Sequence, residues 1–106
     1  MARKEVVIKL QEFLQTLIAQ GIPVEQAFLY GSYARNQAHS NSDIDVLLVS
    51  DKIDSENLDI VGEIYRLAYP IDPHIEPYLI SKEKFLNDDS SFIIDAVRKE
   101  GIEIKA

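Results

Sequence analysis

The chain has 106 residues, 46% of them hydrophobic, and its 18 acidic against 11 basic side chains give a formal net charge of −7. That length suits one domain over residues 1–106 with a modest core, and the acidity argues against gripping long duplex nucleic acid, which needs clustered Lys and Arg. With no cysteine, disulfides and Cys-based zinc sites are excluded. No apolar run approaches membrane-spanning length, and Met1 to Glu5 leads into a mixed stretch without a signal-peptide core, so a soluble, cytoplasmic protein is expected.

From Lys4 to Gln20 the residues Val6, Val7, Leu10, Phe13, Leu14, Leu17 and Ile18 recur at helical spacing and predict an amphipathic helix, ended by Gly21 and Pro23. Ala27 to Tyr30 reads as a buried strand that stops at Gly31, and Ser32 to Gln37 as a short helix with Ser32 at its N-cap. After a polar loop at His39 to Ser42, Asp43 to Ser50 is the clearest strand, apolar on both faces at Val46–Val49 as a central strand should be. A second long helix is expected over Ser55–Ala68, with Leu58, Val61, Ile64, Tyr65 and Ala68 turned inward. Pro70 to Pro73 breaks it, and His74–Ile80 forms a strand whose Pro77 points to an edge position or a bulge. Ser81 caps a short helix through Leu86. A last helix runs from Ser91 to Lys99, with Arg98 and Lys99 in its final turn and Gly101 beyond. Ile102 to Ile104 adds a small strand. The expected fold class is α/β or α+β, with helices packed on a sheet of three or four strands.

The chemistry concentrates in the middle. Asp43 and Asp45 lie two apart on a strand, so their carboxylates project to the same face. Held that close they repel, and a cation between them resolves the repulsion. Oxygen-only donors favour a hard ion, Mg²⁺ or Mn²⁺. An isolated Asp-X-Asp is more often a turn cap and a solvated side chain. Upstream, Gly31 lets a phosphate approach the backbone, and the N-terminus of the helix that Ser32 opens offers free N–H groups and positive dipole together with the Ser32 hydroxyl. Gly-Ser alone is an ordinary helix start, and no P-loop is present. Together the two halves specify a triphosphate site, in which a metal bridges phosphates beside the carboxylates.

Tyr30-Gly31-Ser32-Tyr33-Ala34-Arg35, then Ser42-Asp43-Ile44-Asp45-Val46-Leu47-Leu48-Val49, resembles the signature of the DNA polymerase beta-type nucleotidyltransferase superfamily: Gly-Ser, ten residues, Asp-X-Asp. By size the chain is similar to the minimal nucleotidyltransferases, including the MntA-type antitoxins of HEPN/MNT modules. The resemblance implies that Gly31 and Ser32 contact the triphosphate and that Asp43 and Asp45 hold the metal, two Mg²⁺ with Mn²⁺ able to substitute. It places Arg35 where it pairs with phosphate, braces the loop, or makes only a surface salt bridge. Asn36 stands where the family usually has glycine. The family's third carboxylate, a base or second-metal ligand, maps to Glu76 in preference to Asp72, because Pro-Ile-Asp-Pro around Asp72 reads as a turn.

The resemblance implies transfer of a nucleoside monophosphate, AMP from ATP, to a hydroxyl with release of pyrophosphate, the acceptor being a tyrosine of a small helical HEPN-type partner. A different class of function is a non-catalytic antitoxin or nucleotide-binding module that neutralises its partner by contact. Nucleotidylation of a small molecule has no support beyond the shared motif. Oligomerisation is compatible with so small a domain. A partner has one candidate surface, because Leu47 and Val49 share the face of Asp43 and Asp45, although the chain's own helices can equally cover them. His39 and His74 read as a loop and a strand-surface residue, Tyr30 and Tyr65 as packing residues, and Asp88-Asp89 as a solvated acidic turn.

Overall fold

The structure is a computed structural model that describes residues 1–106. The order of elements is α1 (Arg3–Ala19), β1 (Gln26–Tyr30), β2 (Ile44–Val49), α2 (Leu58–Ala68), β3 (Ile75–Ile80), α3 (Lys82–Asn87), α4 (Phe92–Glu100) and β4 (Ile102–Glu103). The strands form one mixed sheet in the order β3-β2-β1-β4, with β1 antiparallel to both β2 and β4, and β2 parallel to β3. This is the α+β architecture expected, with four strands. No helix is long and apolar enough to cross a membrane.

Helix α1 buries Val6, Leu10, Phe13, Leu14 and Leu17, the stripe read from their spacing, whereas Ile18 at the end of the pattern is half exposed. The helix ends in a Schellman motif. Ile22 N–H donates to Leu17 O at 2.9 Å and Gly21 N–H to Ile18 O at 3.0 Å, with Gly21 at φ +78°, where glycine is the least strained residue. Helix α2 begins later than the pattern suggested, because Asn57 takes the N-cap and accepts from the N–H groups of Asp59 and Ile60. Leu58, expected inward, is therefore the first helical residue and 81% exposed. Tyr65 also stands partly exposed, leaving Ile64 and Ala68 as the buried residues of α2. Ser81 and Ser91 cap α3 and α4 through their side chains. Gly101 follows α4 in an extended conformation. Its glycine serves close packing, since a Cβ there would sit 3.0 Å from Val97 Cγ1.

The period of two along each strand divides the core between the faces of the sheet. Ala27, Leu29, Ile44, Val46, Leu48 and Ile75 join the buried stripes of α1 and α2 in the main core. On the opposite face Leu47, Val49 and Ile80 pack with Ile94 and Val97 of α4, and Phe28 stacks on Phe85 with ring centroids 5.2 Å apart. Val46–Val49 are thus buried on both faces, as a central strand requires, and β3 lies at the edge, as Pro77 indicated. The helices of this chain, not a partner, cover Leu47 and Val49. They cover only that end of the second face, and Tyr30, Asp45 and Glu76 at the other end remain half-buried or exposed.

Candidate active site

The sheet register assembles the site. Asp45 pairs laterally with Tyr30 on β1 and with Glu76 on β3, so Glu76, Asp45 and Tyr30 form a row across the open end of the second face. Asp43 precedes β2 and is exposed, two residues from Asp45 on the same side. The electrostatics reflect this crowding. The Asp45 carboxyl is pushed up to about 6, by burial first, then by Asp43 and Glu76, with Arg35 pulling the other way. Burial and then the Asp45 charge push the Tyr30 hydroxyl up to about 12. Two or three carboxylates on one partly desolvated row are unfavourable for the ligand-free chain and suited to a cation.

Gly31 turns the chain over this row at φ +80°. A Cβ at Gly31 would collide with Asp45 Oδ2 and lie 3.2 Å from Asp45 Cγ, so backbone conformation and close approach both call for glycine here. The segment Ser32–Gln37 is not the expected short helix but a single helical turn. Arg35 N–H donates to Gly31 O at 3.1 Å, and the turn is closed at once by Gln37 N–H on Ser32 O at 2.8 Å and Asn36 N–H on Tyr33 O at 3.2 Å. That is again a Schellman closure, with Asn36 in the left-handed position at φ +59°. Asparagine is the residue other than glycine that most readily enters that region, which accounts for the departure at Asn36. The N–H groups of Ser32, Tyr33 and Ala34 have no backbone partner.

The turn and the carboxylates face one polar cleft of about 430 Å³, lined by Gly31, Ser32, Arg35, Gln37, His39, Asn41, Ser42, Asp43 and Asp45, none of them hydrophobic. A separate hollow of about 230 Å³ at the far sheet edge is mostly apolar, lined by Leu14, Ile18, Val24 and Ile104 among others, and has little to offer a polyanion. Five of the six residues singled out in the sequence therefore line one cleft, and Glu76 adjoins it through its pairing with Asp45.

Arg35 is held on the rim: Nη1 donates to Glu100 Oε1 at 3.0 Å and Nε to Gln37 Oε1 at 3.2 Å. It braces the turn against the end of α4 while standing close enough to Asp45 to lower its proton affinity. Glu100 and Gln37 were not singled out in the sequence, since nothing local marks a contact spanning 65 residues. Asp72 lies elsewhere. It is 6% exposed, bonded by Lys9 Nζ at 2.7 Å and by the N–H and Nδ1 of His74 at 2.8 and 2.9 Å. Burial raises its proton affinity, but these hydrogen bonds win and hold the carboxyl at about 2. Asp72 ties α1 to the start of β3, and His74 is engaged there. His39 lines the cleft with Nδ1 accepting from Asn41 N–H at 3.3 Å. Asp88 accepts from Ser90 and Asp89 from Arg98, as an acidic turn does. Tyr33 is in the core.

No curated protein matches this chain. Solved structures share its fold. A toxin–antitoxin with AMP-PNP is 23% identical, with a TM-score of 0.62 over 91% of this chain and 73% of that one. A protein of Sulfolobus solfataricus assigned as a nucleotidyltransferase is 16% identical, with a TM-score of 0.66 over 95% of this chain and 80% of that one. A mutant of the toxin–antitoxin MntA–HpeT is 20% identical, with a TM-score of 0.58 over 91% and 73%. At these identities the likeness is one of fold. The model of the nucleotidyltransferase domain family matches residues 7–104, almost the whole chain and both halves of the site, and the chain belongs to that family.

Proposed function

We propose that the chain transfers AMP from ATP to a hydroxyl and releases pyrophosphate, with Asp43 and Asp45 holding Mg²⁺ and a tyrosine of a small helical HEPN-type protein as acceptor. The observation that carries this reading is the row Glu76–Asp45–Tyr30, whose central Asp45 lines a polar cleft shared with a glycine turn whose N–H groups lack backbone partners.

The donor set fits a hard divalent ion, being carboxylate oxygens that repel one another. No three His, Asp or Glu side chains gather to hold a metal together. Asp43 and Asp45 would therefore hold it without Glu76, the second-metal ligand the resemblance implied, as Mg²⁺ is commonly held by one or two carboxylates with phosphate oxygens and water completing its shell. When bound, the metal would neutralise phosphate charge and favour attack at the α-phosphorus. The chain's own residues do the rest. The N–H groups after Gly31 and the Ser32 hydroxyl bind phosphate oxygens. Arg35 lends positive charge at the rim. Glu76, exposed beside Asp45, accepts the proton of the attacking hydroxyl. The toxin–antitoxin neighbours, one of them with AMP-PNP, support an adenine nucleotide and a toxin protein as this chain's ligands.

The test is incubation of the chain with ATP, Mg²⁺ and its helical partner, followed by mass spectrometry. One or more AMP units on a partner tyrosine, blocked by Asp43→Asn, are expected. Neutralisation of the partner with no mass change, indifferent to Asp43→Asn, would replace this reading with neutralisation by contact.

A further inference from the structure

Three of the five tyrosines gather at the carboxylate row. Tyr30 flanks Asp45 on the side away from Glu76. Tyr78 lies two residues beyond Glu76 on the same side of β3. Tyr65 comes from α2, which packs on the opposite face of the sheet, and reaches the open edge of β3. There it lines a hollow of about 150 Å³ with Val61, Ile64, Pro77, Tyr78 and Leu79. Burial and then the nearby Glu76 carboxylate push its hydroxyl up from the ordinary value, and the residue is 43% exposed. Tyr69 is four residues further along the same helix, at its C-cap, and 69% exposed. Tyr65 thus stands at the edge of β3 beside Pro77 and Tyr78, the two residues that follow Glu76, to which the acceptor's proton is assigned above.

We propose that Tyr65 is a site of self-modification, the chain placing AMP on its own Tyr65 when no external acceptor fills that position. The proposal rests on the transferase reading above. The Tyr65 phenolic oxygen attacks the α-phosphorus of a nucleoside triphosphate, forming the new O–P bond. The bond from that phosphorus to the bridging oxygen breaks, and its electron pair leaves with pyrophosphate. The phenolic proton passes to the Glu76 carboxylate. The products are pyrophosphate and a tyrosyl-AMP ester on α2.

The test uses the full chain with ATP and Mg²⁺ and no partner protein, read by intact mass and peptide mapping. One AMP on Tyr65 is expected, retained in Tyr69→Phe and Tyr78→Phe and lost in Tyr65→Phe and Asp43→Asn. Tyr65→Phe keeps its ring in the hollow, and an unchanged melting temperature verifies its fold. In a second readout without turnover, Mg²⁺ and a non-hydrolysable ATP analogue should shift the Tyr65 ring signals in NMR spectra and leave those of Tyr69 in place. N-acetyl-tyrosinamide supplies an external acceptor. An unmodified chain when no acceptor is present, in a preparation that modifies N-acetyl-tyrosinamide once it is added, would overturn self-modification and leave the transferase reading standing. AMP on another residue of the chain would overturn the assignment to Tyr65. No AMP on the chain or on either external acceptor, the helical partner included, would overturn both readings.

Discussion

Replacing Asp45 by Asn should make the ligand-free protein more stable at neutral pH while removing its response to Mg²⁺ and ATP. The carboxyl rises from an ordinary value of 3.8 to about 6 in the folded chain, through burial, Asp43 and Glu76. A raised carboxyl favours folding only while it is protonated. Below about pH 4 it is neutral in folded and unfolded chains alike, and the substitution changes little. Between pH 4 and 6 the unfolded chain gives up its proton first and gains on the folded one. Above pH 6 the penalty is complete. At roughly 1.4 kcal/mol per unit the shift would correspond to about 3 kcal/mol, but Asp45 is only half-buried, and solvent screening reduces this to about 1–1.5 kcal/mol. In a domain of this size that is a gain in melting temperature of roughly 4–10 °C at pH 7.5, closing towards zero near pH 4. Thermal melts of both proteins across that range measure it directly. Mg²⁺ with ATP should then raise the melting temperature of the wild type and not that of Asp45→Asn, because a ligand stabilises only the state that binds it. A variant less stable at pH 7.5, or a gain independent of pH, would refute the account of a strained carboxylate row.

Ser32→Ala should weaken ATP binding by about 1.5–3 kcal/mol, the value of a hydrogen bond to a charged group, and leave adenosine binding unchanged in calorimetric titrations. Equal losses for both would make Ser32 a structural residue. Gly31→Ala should lower stability by about 1–2 kcal/mol in urea denaturation, because the left-handed backbone is strained for alanine and the new Cβ displaces Asp45. A neutral effect would mean that the turn moves freely. Glu76→Gln should abolish transfer while sparing nucleotide binding and stability. Asp72→Asn should keep transfer per folded molecule but reduce stability at pH 7 by about 1–2 kcal/mol, screened by solvent around Lys9. That contribution is present above about pH 4 and fades as pH falls towards 2, because the folded carboxyl is the more acidic. Transfer lost in Asp72→Asn and kept in Glu76→Gln would exchange their roles.

The strands and the long helices were legible because their cause is local. The stripe of α1, the doubly apolar run Val46–Val49 and the serine cap before α3 are written in periods of 3.6 and 2 and in single residues. What escaped was decided by contacts distant in sequence or by competition between caps. Asn57 outcompeted Ser55 as the start of α2, which turned Leu58 outward. Nothing near Asp72 signals that Lys9, 63 residues earlier, will neutralise it. For Glu76 the sequence offered a strand and, through the family resemblance, the place of a third carboxylate, but the parallel register that sets it beside Asp45 belongs to β2 and β3 together. The turn at Ser32–Gln37 was misread because a helix start and a single closed turn share their opening residues, and the left-handed Asn36 separates them.

That misreading falls where local preference and the rest of the fold disagree, and the disagreements cluster. Gly31 and Asn36 take left-handed backbone within six residues of each other, and Asp45 carries a charge that its surroundings resist. All three lie along the one cleft wall or its closing turn, whereas the helix and strand residues of the main core follow the period of their elements. A sequence optimised for stability alone would replace Asp45 with an uncharged residue and need no glycine opposite it. The fold can tolerate the cluster because β2 divides its labour. Val46–Val49 are buried on both faces and anchor the strand, so Asp45 at the open end is held in place by a segment that does not depend on it. Helix α4 ends its cover at Leu47, one side-chain step short of Asp45. Rigid backbone and unsatisfied charge therefore meet at adjacent positions of one strand. On the function proposed above, binding of a cation and a polyphosphate would relieve this repulsion.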